Sequence, residues 1–292
     1  MTAAQNSKNN SASKNSKQFS FEFFPPKTPK GEENLRKVHA ELSKKNPSFF
    51  SVTYGAGGST RDGTLNTVLE MNAKGICTAP HLSFGNDNED TVLELINQYK
   101  AAGVTRIVAL RGDTPAQSDA SQQSISANQL VEFIRKKTGD HFQLEVAAYP
   151  EIHPKSESFE TDLQSLKAKF ESGANSAITQ YFYNPDAYFY YLDRCQQLGI
   201  DKPIYPGIMP IINFTNLARF SKACGAEIPR WISKQLEAYG DDLQSVQSFG
   251  LEVVSQLCYD LLKGGAPGLH FYTMNKAEPT TLLWDDLQLS EM

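Results

Sequence analysis

Residues 19–27 read F-S-F-E-F-F-P-P-K, and this stretch decides how the rest of the chain is interpreted. Four phenylalanines followed by two prolines predict a buried β-strand that ends before Pro25. Glu22 lies in the middle of the run, where an unpaired carboxylate would be costly to bury. Burial would raise the pKa of Glu22, which suits a general acid. The alternative is an edge strand whose Glu22 side chain lies in water.

The composition limits the class of protein. The chain has 292 residues, of which 40% are hydrophobic and 21% charged, and its net charge is −5. This length fits one large α/β domain or two small ones. A negative net charge does not indicate the basic surface that nucleic-acid-binding proteins carry. No apolar run reaches the roughly 20 residues of a membrane span, so no membrane partner is expected. The four cysteines form no C-x-x-C pair, which favours a reducing cytoplasm over a disulfide framework or a zinc site.

The first 18 residues differ from the rest of the chain. Residues 1–18 are rich in Ser, Asn, Lys and Ala and contain no apolar core. They lack the hydrophobic region of a secretion signal. The sequence therefore predicts a disordered N-terminal tail over 1–18 and one folded domain over 19–292.

Strand and helix patterns alternate along that domain. Apolar segments typical of strands are separated almost throughout by segments with hydrophobic residues at helical spacing. The strand segments are 19–24, 48–54, 75–84, 106–110, 143–149, 176–183, 203–212 and 268–274. Units of roughly 30 residues match βα repeats, so the sequence predicts an α/β fold of the (β/α)8 TIM barrel type. A doubly wound open sheet is the structural alternative, but neither G-x-G-x-x-G nor G-x-x-x-x-G-K-[ST] occurs.

Polar residues follow several of the predicted strands, where a barrel places its active site. They are Thr53, Tyr54, His81, Arg111, Asp113, Tyr149, His153 and Gln180. Each has a structural explanation on its own, such as a turn cap at His81 or a local ion pair between Arg111 and Asp113. Their agreement at one rim favours a ligand site. His81, His153 and His270 have no acidic cluster or H-x-x-x-H motif beside them, so hydrogen bonding to a ligand is favoured over metal ligation.

These segments resemble the methylenetetrahydrofolate reductase family. The matching motifs are F-S-F-E-F-F-P-P-K, F-S-V-T-Y-G, A-P-H-L, I-V-A-L-R-G-D, V-A-A-Y-P-E-I-H-P, G-A-N-S-A-I-T-Q-Y-F-Y and H-F-Y-T-M-N-K. They occur in the family order over residues 19–276, and the chain resembles the short, bacterial-type form with a catalytic barrel only. The resemblance implies a flavoprotein barrel with FAD. It would reduce 5,10-methylenetetrahydrofolate to 5-methyltetrahydrofolate with hydride from NADH or NADPH, in one-carbon metabolism and methionine supply.

The resemblance also implies roles for individual residues. The implied catalytic residues are Glu22, as the acid that helps open the five-membered ring of the folate, and Asp113, as the carboxylate that contacts the pterin and tunes the flavin. The implied substrate contacts are these two together with Thr53, Gln180, Phe220 and Lys276. The implied FAD contacts are Tyr54, Ala56, His81, Arg111, Gly112, Asp113, Ala127, Tyr149, His153, Asp162, Ser165 and Lys169. Ser165 departs from the family pattern, which has Asn there.

Two other functions stay open at this point. A related flavin barrel such as a proline dehydrogenase is one, but its chemistry does not need Glu22 within F-E-F-F-P-P. A flavin- or folate-binding module without turnover is the other, and Glu22, Asp113 and Gln180 argue against it. A homo-oligomer is compatible with the sequence, and the choice between NADH and NADPH is open.

Overall fold

The computed structural model describes residues 17–54, 61–85, 87–112 and 125–292. Within them, nine short strands run parallel in one sheet. They are β1 (Gln18–Phe23), β2 (Phe49–Val52), β3 (Thr78–Leu82), β4 (Arg106–Ala109), β5 (Gln143–Ala148), β6 (Ser176–Thr179), β7 (Ile204–Tyr205), β8 (Gly207–Ile208) and β9 (Gly268–Tyr272). The hydrogen-bonded order is β7-β6-β5-β4-β3-β2-β1-β9-β8.

The sheet closes into a barrel at Pro206. β7 and β8 stand at opposite ends of the hydrogen-bonded order, yet Pro206 alone separates them in the chain. β7 pairs with β6, β8 pairs with β9, and the N–H of His270 donates to Pro206 O at 3.0 Å. Proline has no N–H for a strand ladder, so it splits one bent seventh strand into two halves. The predicted TIM barrel is confirmed, with its seventh strand interrupted.

Helices pack around the barrel and follow the strands in the chain. They are α1 (Pro29–Ser43), α2 (Arg61–Asn72), α3 (Glu89–Ala101), α4 (Ala127–Thr138), α5 (Phe159–Glu171), α6 (Pro185–Gln197), α7 (Phe214–Cys224), α8 (Arg230–Tyr239), α9 (Leu243–Lys263) and α10 (Glu278–Asp286). A 3-10 turn, Leu289–Glu291, follows α10. The sequence predictions contain all of these helices except α10, whose Leu283 and Trp284 are buried. No helix in the described part of the chain is long and apolar enough to cross a membrane.

The two faces of β1 have different surroundings. Phe21 and Phe23 are buried outside the barrel, where the ring of Phe21 packs 5.6 Å from that of Trp284 in α10. Successive side chains of a strand point to opposite faces, so Ser20 and Glu22 lie together on the inner face. β1 pairs with β2 on one side and β9 on the other. The predicted buried strand is confirmed, and the edge-strand alternative is wrong.

β1 begins at Gln18, one residue before its predicted start. The N–H of Gln18 donates to Pro267 O at 3.0 Å, and Lys17 Nζ donates to Ala266 O at 2.5 Å. These bonds join the start of the barrel strand to the segment that leads into β9. The remainder of the predicted tail, residues 1–16, lies outside the described residues.

A buried ion pair fills the N-terminal end of the barrel. Arg106, the first residue of β4, pairs with Glu145 of β5, which also accepts a hydrogen bond from the hydroxyl of Ser176. The Arg106 guanidinium lies 4.5 Å from the centre of the Phe49 ring. This pair lies at the end opposite to the C-terminal rim, where a barrel places its active site.

Candidate active site

Glu22 faces two histidines inside the barrel. Its Oε2 atom lies 3.2 Å from His81 Nε2 and 3.5 Å from His270 Nε2. Among the described residues, His81 Nε2 has no hydrogen bond of good geometry, so its contact with Glu22 is electrostatic. The Glu22 side chain is 17% exposed and that of His270 is fully buried. The carboxylate is therefore accessible from the rim while its partners are held within the barrel.

The two histidines determine the charge of Glu22. Burial on its own would raise the pKa of Glu22, but the charge of His81 and the contacts with His270 together outweigh burial. The pKa of Glu22 is lowered from 4.5 to about 2. The raised pKa expected from burial in an aromatic strand is wrong, because the two histidines outweigh the effect of burial. At neutral pH the carboxyl is ionised in this state.

Ser20 extends this cluster by one hydrogen bond. Its Oγ atom lies 2.7 Å from His270 Nδ1, and both residues are buried. The register of β1 and β9 pairs Ser20 with His270, which places the hydroxyl, the imidazole and Glu22 in a row. If His270 Nε2 carries a proton towards the carboxylate, Nδ1 accepts from the Ser20 hydroxyl. Ser20 is not among the residues predicted from the sequence, although its spacing of two from Glu22 places both on one strand face.

A groove of about 900 Å³ lies at the C-terminal ends of β2 to β5, beside α4 and α5. Nine of the twelve residues predicted to contact FAD line it. They are Tyr54, Arg111, Gly112, Ala127, Tyr149, His153, Asp162, Ser165 and Lys169. Of the other three, His81 faces Glu22, and Ala56 and Asp113 lie outside the described residues. The groove also has polar lining residues that are not predicted from the sequence, among them Ser83, Asp87, Asn128, Ser156 and Gln164.

Three basic side chains line this groove, at Arg111, Lys155 and Lys169. Arg111 presents an exposed side chain, and Lys169 of α5 donates from Nζ to Ala147 O at 2.8 Å. Burial lowers the pKa of Lys169 to about 8, against the opposing effect of the Asp162 charge. An anionic group bound beside the ammonium would favour its protonated form.

Asp162 organises the segment that follows β5. In the first turn of α5, its carboxylate accepts hydrogen bonds from the N–H of His153 and from Ser156 Oγ, both at 3.1 Å. The rings of Tyr149 and His153 meet edge to face with their centres 4.6 Å apart. Asp162 therefore fixes the two groove-lining rings indirectly, by holding the backbone that carries His153.

Gly112 is required by its backbone and by its surroundings. Its φ angle is +79°, which side chains other than glycine rarely adopt. A Cβ atom at this position would also lie 2.6 Å from Ser83 Oγ. The groove wall between the ends of β3 and β4 depends on this close approach.

The remaining predicted substrate contacts lie on separate elements around the barrel. Thr53 follows β2 and its N–H donates to Phe23 O at 2.8 Å, and Gln180 follows β6 and accepts from the next backbone N–H at 3.0 Å. Phe220 of α7 is partly exposed, and Lys276, between β9 and α10, is exposed. None of the four is among the described residues that line the groove. Their contact with a substrate stays a prediction.

No group of three or more His, Cys, Asp and Glu side chains within the described ranges could hold a metal ion.

Comparison with known proteins identifies a family. The family model for methylenetetrahydrofolate reductase matches residues 7–288. The chain is 41% identical over 262 residues to a Buchnera aphidicola 5,10-methylenetetrahydrofolate reductase, covering 89% of this chain and 88% of that protein. It is 38% identical over 260 residues to the Escherichia coli enzyme of that name, covering 89% and 86%. An Arabidopsis thaliana methylenetetrahydrofolate reductase (NADH) is 38% identical over 271 residues, and the match covers 88% of this chain but 46% of the plant protein.

A solved structure shares the fold. It is a Clostridium thermocellum protein described as binding two copies of 5-methyl-5,6,7,8-tetrahydrofolic acid, with a TM-score of 0.65 and 18% identity over 94% of both chains. At this identity the likeness concerns the barrel alone. The family model and the sequence relatives go further, because they cover nearly the whole chain, including β1, the groove and β9. The chain belongs to the methylenetetrahydrofolate reductase family.

Proposed function

We propose that this chain reduces 5,10-methylenetetrahydrofolate to 5-methyltetrahydrofolate, using hydride from NADH or NADPH by way of bound FAD. The main support is the Glu22 carboxylate, which is partly exposed at the rim and held between His81 and His270. It occurs in a family whose curated members of similar length carry the name of this reaction. The four free cysteine thiols support a cytoplasmic location as part of the same proposal.

The groove fits FAD in size, and it contains basic side chains that suit a diphosphate. Its volume of about 900 Å³ lies at the upper end of the usual range for small-molecule sites. Lys169 and Arg111 could hold the diphosphate, since the Lys169 ammonium has three N–H donors and Ala147 O takes one of them. The Tyr149 and His153 rings offer flat apolar surface next to these cations. Bound FAD would accept hydride from the nicotinamide and pass it to the folate.

The protein itself supplies a proton to the folate nitrogen as the ring opens. With a pKa of about 2, Glu22 is ionised at pH 7, and protonating it in this state costs about 7 kcal/mol. The Nε2 atoms of His81 and His270 lie 3.2 and 3.5 Å from Glu22 Oε2, close enough for an imidazole to pass a proton to the carboxyl.

Closure of the site by planar ligands favours the transfer of that proton. A ligand over the rim displaces water from Glu22, which is 17% exposed, and so destabilises its charged form. The proton then moves from an imidazole to the carboxyl, which presents it to the substrate. Ser20 Oγ, 2.7 Å from His270 Nδ1, keeps that imidazole oriented during the transfer.

The absorption spectrum of purified protein tests this proposal. We expect a flavin spectrum that NADH or NADPH bleaches anaerobically and that methylenetetrahydrofolate restores. Protein that is colourless and binds no added FAD would refute the cofactor assignment. A flavin that NADH bleaches and methylenetetrahydrofolate never restores would indicate a binding module or another flavin enzyme instead.

A further inference from the structure

The segment that follows β5 contacts the linker between α7 and α8. Glu151 Oε2 accepts a hydrogen bond from the backbone N–H of Glu227 at 2.8 Å. Two residues before Glu151, Tyr149 lines the groove, and two residues after it, His153 does the same. The Glu151 carboxylate thus connects a groove-lining segment to a second part of the fold that is 76 residues away in the chain.

A close packing contact stands beside this hydrogen bond. Gly225 ends α7 with a φ of +77°, and a Cβ atom there would lie 2.8 Å from Pro154 Cγ. The segment itself contains Ile152 at a φ of +69°, a conformation that β-branched residues rarely adopt. Such strain persists only where surrounding contacts over-determine the backbone, and it occurs often at functional sites.

The other end of the connection carries a predicted substrate contact. α7 contains Phe220, and the next residue, Ser221, lies with its Oγ 2.9 Å from the hydroxyl of Tyr181. Tyr181 follows Gln180 at the end of β6. α7 therefore contacts the end of β6 through Ser221, and the linker directly after it is held to the segment after β5 by the Glu151 hydrogen bond.

Given the proposed function, we infer that Glu151 is a positioning residue that couples the cofactor groove to the substrate side of the rim. Its carboxylate holds the end of α7, which carries Phe220, against the segment that carries Tyr149 and His153. The residue acts through these neighbours and does not itself reach the reacting atoms. Loss of the hydrogen bond weakens folate binding by releasing α7, while Lys169 and Asp162 keep the groove intact.

Glu151 also makes this coupling depend on pH. Burial raises the pKa of Glu151 to about 7, the Glu227 N–H opposes that rise, and the Glu227 carboxylate adds to it by repulsion. The other titratable groups near it are the Tyr181 hydroxyl and, beyond that, the Cys224 thiol of α7. An ionised carboxylate accepts a stronger hydrogen bond than a neutral acid does. The connection to α7 is therefore strong above pH 7 and weakens as pH falls through 7.

Three variants of the full-length holoenzyme separate this role from a general loss of structure. Glu151→Ala removes the hydrogen bond, and Glu151→Gln keeps an acceptor that does not titrate. Glu227→Gln keeps the donating N–H and removes the neighbouring charge. For each, KM for methylenetetrahydrofolate, kcat, FAD retention and melting temperature are measured between pH 6 and pH 8.5.

For Glu151→Ala we expect KM for the folate to rise roughly tenfold at pH 8, with FAD retention unchanged. The KM of the wild type should rise as pH falls through 7. Glu151→Gln should show no such rise, and Glu227→Gln should shift the rise to lower pH. If the wild type turns over folate normally and Glu151→Gln shows the same pH profile of KM as the wild type, this inference alone is overturned. That holds even if Glu151→Ala fails to fold. Absence of folate turnover in the wild type at every pH would overturn the proposed function and this coupling with it.

Discussion

Replacing Glu22 with glutamine keeps the shape of the side chain and removes its charge and its proton-carrying oxygen. In the wild type, burial opposes the charge of Glu22, yet His81 and His270 lower its pKa from 4.5 to about 2. A pKa difference of this size corresponds to about 3 kcal/mol in favour of the ionised form. A neutral amide retains none of that attraction. The variant therefore loses both the proton carrier and the charge that faces the two imidazoles.

The two half-reactions should respond differently to Glu22→Gln. Reduction of the flavin by NADH needs no proton from the protein, so it should proceed at a near-normal rate. Reoxidation by methylenetetrahydrofolate should slow by roughly 10²–10⁴-fold, the usual contribution of a positioned general acid. Anaerobic stopped-flow absorbance at the flavin band measures each step separately. The matched control is Glu33→Gln, the same substitution at an exposed position of α1.

Reoxidation of the Glu22→Gln flavin by folate at the wild-type rate would refute the assignment of Glu22 as the proton donor. Equal slowing of both steps would instead place Glu22 in flavin binding. A variant with lower FAD content and a normal rate per bound flavin would lead to the same conclusion. Only selective loss of the folate step agrees with a proton that passes from a histidine through Glu22.

Three further changes test the groove and the core. Lys169→Met keeps the length of the side chain and removes its ammonium, so the Kd for FAD should rise about tenfold or more, as measured by flavin fluorescence titration; an unchanged Kd would place the diphosphate elsewhere. Gly112→Ala should destabilise the fold by about 1–3 kcal/mol in urea denaturation. Adding Ser83→Ala should recover only the part due to Ser83 Oγ, since the Cβ atom of residue 83 would still lie 2.9 Å away and the φ of +79° persists. Burial, aided by the Lys74 charge, lowers the pKa of His39 to about 4. The unfolded state therefore binds the proton first, and stability should fall by up to about 3 kcal/mol as pH drops from 6.5 to 4; His39→Leu should abolish that part of the pH dependence.

Local patterns in the sequence are sufficient to predict most of the fold. Alternating strand and helix periodicities predict the barrel because each βα unit is recognisable from neighbouring residues alone. The break at Pro206 is different, since two halves of one strand pair with strands far apart in the chain. α10 is missed for another reason: its buried Leu283 and Trp284 become informative only once the barrel face they cover is known.

The candidate site likewise has one part that local sequence predicts and another that depends on contacts between distant residues. The groove residues are predictable because each follows its own strand or lies on the next helix, and the rule for barrels brings strand ends together. The charge of Glu22 is not predictable in this way, because the imidazole of His270 lies 248 positions away in the chain. Local sequence shows phenylalanines around Glu22, whereas the folded strand turns them away and presents histidines. The predictions for Ala56 and Asp113 concern residues outside the described ranges.

The closure of the barrel and the assembly of its chemistry depend on one strand register. β9 pairs with β1 so that Ser20 is opposite His270 and Glu22 is opposite Tyr272. A slip by one residue would move the His270 side chain from the inner face to the outer face, since side chains alternate along a strand. The bent strand at Pro206 fixes β9 from its other side, because Pro206 O accepts the N–H of His270 at 3.0 Å. Pro206, which splits the seventh strand, is therefore hydrogen-bonded to the backbone of His270, whose side chain faces Glu22. The closure of the barrel thus determines where the His270 imidazole lies relative to the carboxylate that it contacts.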